Sequence, residues 1–534
     1  MAQSFSRRRF LHQVGAAGGS AAVYQMALAL GLTPGRALGS PATGVVPPLT
    51  GASRSVVLLG GGLSSLMSAY ELERAGYTCT VLEAGHRLGG RNLTLRSGDL
   101  VDEMGHPQRC EFDDDPNLYF NAGPARIPVH HHYLIHYCRT LGVELEPFIN
   151  VDYNAWVHDP NAFGGRPIRY RHYLSDARGF IAELSAKAIN AGELDAPFSA
   201  EDLERITAFL RAFGDLDTNG LYRGSNRAGY LQPGVLAPTA GMLEHGELQA
   251  RLDFSEILKS DFWRYRMYFG DGEDQAAPLM QAKGGMDNIV RGFVRNIRSP
   301  MLTHAQVKSI QVRGDGVDVI YQHEGRHKQI RADYCLNCIP HHLLPGIDNN
   351  FPAEYLTALK SIGRGKLFKI GIQMKERFWE QEAIYGGISW TNQPIEQLWY
   401  PPHNTHGSKG VMLGAYTFSA ENTEYFARMN PAERLEEAIR EGEKIHPRYR
   451  DYVETAVSVP WHRMNHIMGC TAGWTEETRA RWFSYLQQPV GERHFLMGDQ
   501  LSFHPGWQEG AFSSAHFALG ELSKRVRAEL GASA

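Results

Sequence analysis

Three consecutive glycines, Gly60, Gly61 and Gly62, close the apolar run Ser55-Val56-Val57-Leu58-Leu59, and a single carboxylate, Glu83, closes the next one, Tyr77 to Leu82. Glycines at such a place let the backbone approach a pyrophosphate, and an acidic side chain after the second strand accepts ribose hydroxyls. Between the two runs, Leu63, Leu66, Met67, Tyr70 and Leu72 recur at helical spacing and Gly76 ends the helix. The pieces form a β-α-β unit that presents Gly60, Gly62 and Glu83 to a dinucleotide. Ser65 replaces the third glycine of G-x-G-x-x-G, which loosens the helix slightly against the strand and leaves the phosphate position open. A glycine turn alone would read as an ordinary tight turn; the flanking strands, helix and Glu83 favour dinucleotide binding.

Further motifs follow. Arg87-Leu88-Gly89-Gly90-Arg91 comes directly after Glu83, and Ala282-Lys283-Gly284-Gly285-Met286-Asp287 precedes a helical stretch. Val307 to Ile310 and Val317 to Ile320 alternate as a hairpin. His494 to Met497 reads as a buried strand that delivers Asp499, and Gly506-Trp507-Gln508-Glu509-Gly510-Ala511 opens a final helix. In this order, from about Ser53 to the last helix, the chain resembles the flavin amine oxidases, most of all bacterial and snake-venom L-amino-acid oxidases. The resemblance implies FAD, held non-covalently, with Gly60, Gly62, Ser65, Glu83, Gly90, Arg91, Val307, Asp499, Glu509 and Ala511 around it. Asp499 would accept a ribityl hydroxyl, and the start of the final helix would stabilise an anionic reduced flavin. Cys470, in Gly469-Cys470-Thr471, resembles the segment where some amine oxidases carry a covalent cysteinyl flavin. For this chain the expectation is non-covalent FAD.

The substrate residues lie between the flavin segments. Asn121-Ala122-Gly123-Pro124-Ala125-Arg126-Ile127-Pro128 is similar to the family's G-x-x-R-x-P turn, whose arginine clamps the substrate carboxylate with a planar fork. The alternative for Arg126 is a structural ion pair. Lys369, in Leu367-Phe368-Lys369-Ile370, resembles the family lysine that holds a water near flavin N5; otherwise it is a snorkelling strand residue. Tyr400 resembles a tyrosine that shares the carboxylate, or it is buried packing. Trp507 and Trp474 are candidates for aromatic walls, and Gly506 for a carbonyl facing the amine. The reaction implied is oxidative deamination of an L-amino acid to a 2-oxo acid, with ammonium and, from dioxygen, hydrogen peroxide. Rival readings are a plain amine oxidase, a flavin monooxygenase that decarboxylates the amino acid to an amide, and a non-catalytic flavin-binding module.

The elements needed to position these residues imply an α/β fold, a Rossmann-like FAD-binding domain carrying an inserted α+β substrate-binding domain. Its division is 54–125, 281–343 and 492–530 for the flavin part, and 126–280 and 344–491 for the substrate part. The 534 residues are enough for this. A net charge of -4, with no basic run, argues against nucleic acid. Six scattered cysteines do not make a disulfide scaffold, and Cys335-x-x-Cys338 has no second pair that would suggest zinc. The histidines, including His130-His131-His132, are expected on solvated loops without metal spacing. Residues 1–40, with Ser6-Arg7-Arg8-Arg9-Phe10-Leu11 before a weakly apolar stretch, resemble a twin-arginine export signal rather than a membrane span, and 41–53 reads as a linker. A homodimer is the family expectation.

Overall fold

The computed structural model describes residues 54–104, 106–191, 198–231 and 246–532. The export signal and linker expected for 1–53 lie outside them. A five-stranded sheet of strands Met301–Leu302, Thr78–Leu82, Ser55–Leu59, Tyr334–Asn337 and His494–Leu496, in that order, is parallel throughout. Parallel strands are buried on both faces, which is why these segments read as continuous apolar runs. Alternation still assigns each side chain to a layer. Val56 and Leu58 face the helices Leu63–Arg74 and Gln508–Ala532, whereas Val57 and Leu59 face an antiparallel hairpin layer containing Val317 and Val319.

A second, seven-stranded sheet runs Ile168–Arg169, Trp156–His158, Ile388–Thr391, Gln397–Trp399, Gly410–Thr417, Phe368–Met374 and Val453–Pro460. It is antiparallel except for one parallel pair, Trp156–His158 with Ile388–Thr391. One face packs a core of Phe368, Ile370, Ile372, Leu398, Tyr400 and Met412; the other packs Trp399, Val411 and Leu413. Lys369 and Tyr416 are direct cross-strand partners. A short antiparallel sheet of Ile127–Pro128, Leu279–Ala282 and Leu145–Pro147 fixes the chain just after Arg126. Among the described residues, no helix is long and apolar enough to cross a membrane.

Candidate active site

A cavity of about 540 Å³ runs from the glycine turn to the face of the seven-stranded sheet that carries Lys369 and Tyr416. At the first end the backbone does most of the lining. Gly60 adopts φ +86°, and a β-carbon there would come within 3.0 Å of the Cys338 sulfur. The second glycine turn docks on the first through the Gly89 N–H, which donates to the Gly61 carbonyl at 2.8 Å. Glu83 accepts from the Gly61 and Gly85 N–H groups, each at 2.6 Å, so its carboxylate also fixes the turn that it faces. Each oxygen keeps lone-pair capacity for a hydroxyl. Gly62, Gly90, Val307 and Ala511 line the same space, and the Ser64 hydroxyl donates to the Ala511 carbonyl at 3.0 Å, which ties the first helix to the last. Ser65 lies behind the cavity, its hydroxyl 3.1 Å from the Cys338 sulfur.

Arg91 and Asp499 form an ion pair at the cavity wall. Arg91 Nη1 donates to Asp499 Oδ2 at 2.9 Å, Nη2 meets Oδ1, and Nη1 also donates to the Cys470 carbonyl. The Gly506 N–H gives Asp499 Oδ2 a further donor at 2.7 Å. Burial works against both charges, but each partner overrides it: Arg91 is raised above its ordinary value and Asp499 held below the usual carboxylate range. Asp499 therefore joins the second glycine turn to Gly506. A β-carbon on Gly123 would overlap the Arg91 carbonyl oxygen, so only glycine lets the substrate-side turn lie against this loop.

Against Trp507, which lines the other end, stands Arg126. Its guanidinium carbon lies 4.9 Å from the Trp399 ring centroid, 5.5 Å from Phe269 and 5.7 Å from Trp507. Among the described residues it has no carboxylate in ion-pair contact and its buried Nε has no hydrogen-bond partner, and burial pushes it down to about 10. The ring faces, worth roughly 0.5–2 kcal/mol each, offset only part of the desolvation of the cation, and its charged form stays disfavoured. The surplus is a standing preference for an anion. Lys369, 2% exposed, sits beside this group. Its ammonium donates to the Gly123 carbonyl at 2.6 Å and lies 4.3 Å from the Tyr416 ring centroid. Burial first, then the charge of Arg126, lowers Lys369 to about 7.

The structure brings Arg126, Lys369, Trp507 and Gly506 together, and three other expected residues elsewhere. Tyr400 follows Trp399, so it projects to the opposite face, where its hydroxyl bonds Ser389 and His446 Nε2, each at 2.7 Å. Trp474 donates from Nε1 to the Gln500 carbonyl at 2.7 Å and packs on Phe483. Glu509 turns away from the cavity and accepts the Leu134 and Tyr133 N–H groups at 2.9 and 3.1 Å, capping the start of helix His132–Thr140. Burial raises its carboxyl. Sequence reasoning missed Trp399, Phe269, Tyr416 and Trp461, the last of which lines the cavity and donates from Nε1 to the Ala122 carbonyl at 3.0 Å. It also misplaced His131, expected on a solvated loop: the ring is 1% exposed and meets the Trp507 ring edge-on at 5.2 Å.

The open backbone of two interlocked glycine turns, with an acidic side chain at the strand end, fits an adenine dinucleotide. The unsatisfied cation at the far end fits an anionic substrate.

The chain is 27% identical over 485 residues to an L-amino-acid oxidase of Pseudechis australis, covering 88% of this chain and 87% of that protein. It is also 27% identical over 496 residues to a flavin-dependent L-tryptophan oxidase of Lentzea aerocolonigenes, covering 87% and 97%. Among solved structures, a putrescine oxidase variant superposes with a TM-score of 0.59 at 16% identity over 90% of this chain and 99% of that one. Cyclohexylamine oxidase from Brevibacterium oxydans gives 0.59 at 16% identity over 89% and 100%. These two establish the fold, a mixed α/β architecture shared with flavin-dependent amine oxidases. The model of the flavin-containing amine oxidoreductases matches residues 63–518, and the chain belongs to that family.

Proposed function

We propose that the protein oxidatively deaminates L-amino acids to 2-oxo acids, releasing ammonium and hydrogen peroxide. The observation that carries this reading is the buried guanidinium of Arg126, without an ion-pair partner among the described residues, packed on Trp507, a wall of the cavity whose other end is lined by two glycine turns. An α-carboxylate is the anion that such a fork takes bidentately, and putrescine or cyclohexylamine, the amines named for the solved relatives, offer none. The names of the curated relatives support the same class.

Gly60, Gly62, Glu83, Gly90, Arg91, Val307, Asp499 and Ala511 would hold FAD. When bound, the flavin supplies a two-electron oxidation at the substrate Cα, with dioxygen as the final acceptor. The chain's own part is orientation and electrostatics. Arg126 fixes the carboxylate, while Trp399, Phe269 and Trp507 exclude water around it. Lys369, neutral above about pH 7 and held by the Gly123 carbonyl, supplies a lone pair that orients a water without placing a second positive charge beside the substrate amine. Gly506, at the start of the final helix, offers a carbonyl to that amine. Cys470 lines the cavity, but burial raises its thiol, which keeps it a poor nucleophile and agrees with non-covalent flavin. We further read the chain as exported through its twin-arginine signal, as a homodimer, and as divided into flavin and substrate parts at the boundaries given above.

The test is a panel of L-amino acids and their decarboxylated amines, with peroxide, ammonium and the organic product measured together. Equal peroxide and ammonium with a 2-oxo acid is the expected result. An amide product would make the protein a monooxygenase, and faster turnover of the amines would make it a plain amine oxidase.

A further inference from the structure

Outside the cavity, three chain segments meet behind Trp507. His130 and His131 stand just before helix His132–Thr140, Asp274 lies in the segment after Arg266–Asp271, and His504 precedes the final helix. His130 Nε2 and His131 Nε2 both point at Asp274 Oδ1, at 3.0 and 2.8 Å, and His504 Nδ1 approaches the other carboxylate oxygen at 3.9 Å. Their ligand atoms all lie within 4.8 Å of one another for the His130, His131 and Asp274 set. A structural tie between segments would need one imidazole on the carboxylate. Here two converge on one oxygen while a third faces its neighbour.

We propose that His130, His131 and Asp274 form a binding site for a divalent cation of the zinc class, with His504 or water as the fourth ligand. Two imidazoles and one carboxylate are a borderline-soft donor set suited to tetrahedral zinc, whereas calcium and magnesium take oxygen ligands. Metal–ligand bonds of ~2.1 Å space tetrahedral donors by roughly 3.4 Å, so the present hydrogen-bonded spacing opens by about half an ångström on loading. Loading requires the protons that His130 Nε2 and His131 Nε2 now present to Asp274 Oδ1 to leave those nitrogens for Nδ1. The ion would fasten the loop before Gly506 and Trp507 to the two segments that pack behind them.

The experiment titrates zinc chloride into untagged, FAD-loaded full-length protein against a chromophoric zinc indicator, with magnesium as the competing control. One zinc per chain, undisplaced by magnesium, is expected, with affinity falling at least ~tenfold in His130→Gln and in Asp274→Asn. Zinc anomalous scattering from a crystal of the loaded protein places the ion independently of either variant folding well. Absence of stoichiometric zinc in the parent, unchanged binding in both variants, or an anomalous peak elsewhere would overturn the proposal.

Discussion

Arg91 lines the cavity and Arg126 packs on Trp507 in its wall, and the surroundings of these two guanidinium groups are opposite. Arg91 has Asp499 in bidentate contact and the Cys470 carbonyl beside it, and it is raised above its ordinary value. Arg126 has only aromatic faces and an unpartnered Nε, and it is pushed down to about 10. The Arg91 charge is thus matched within the chain, whereas the Arg126 charge is left unmatched among the described residues. A complete site holds a loop in shape whether or not a ligand is present; an incomplete one gives its free energy to whatever completes it.

Four substitutions break or sharpen this contrast. Removing Arg126 has the largest effect. Arg126→Ala should weaken L-amino acids by two to three decades, about 3–5 kcal/mol, and abolish discrimination against the matching amine, with flavin content intact. Steady-state peroxide assays on both substrates read this, and an unchanged amino-acid KM would make Arg126 structural.

Removing Arg91 should act on the protein rather than the substrate. Arg91→Ala strands the buried Asp499 carboxylate, at a cost of about 3 kcal/mol in stability, so thermal midpoint and flavin content should fall together while the residual holoenzyme keeps its KM. A KM change larger than the flavin loss would erase the distinction between the two arginines.

Lys369 tests the Arg126 side through pH. An unfolded chain holds the extra proton up to ~10.4, and burial releases it near 7, so between those values the unfolded state binds more protons and stability rises with pH. Lys369→Met removes this dependence. Its gain over the parent in denaturant midpoint should be full below pH 7 and shrink toward pH 10; a gain independent of pH would mean that the lysine is charged in the folded protein.

Tyr400 gives the smallest effect. Tyr400→Phe leaves Ser389 and His446 short of a partner, which costs about 1–2 kcal/mol of stability, and amino-acid KM should not move. A tenfold rise in KM would return Tyr400 to the carboxylate.

The dinucleotide unit was legible because its information is local. Strand, glycine turn, helix and Glu83 are consecutive in the chain, and φ +86° at Gly60 is a demand that residue type alone meets. Arg126 was legible for a similar reason, as its turn carries Gly123, the one residue that clears the Arg91 carbonyl. The phase of Trp399 and Tyr400 was not. Both faces of the seven-stranded sheet are covered, so Gln397–Trp399 and its flanks show no polar alternation to say which side chain looks into the cavity. Glu509 reads in sequence as part of the motif at the final helix, but it caps a helix whose start is fixed by a segment far away in the chain. Sequence by itself determined the family of fold, the pair of glycine turns and the turn that carries Arg126, because each is written in contiguous residues. Tertiary structure alone decided what stands opposite that cation. Cross-strand register sets Tyr416 against Lys369, and three distant segments close Phe269, Trp399 and Trp507 around Arg126.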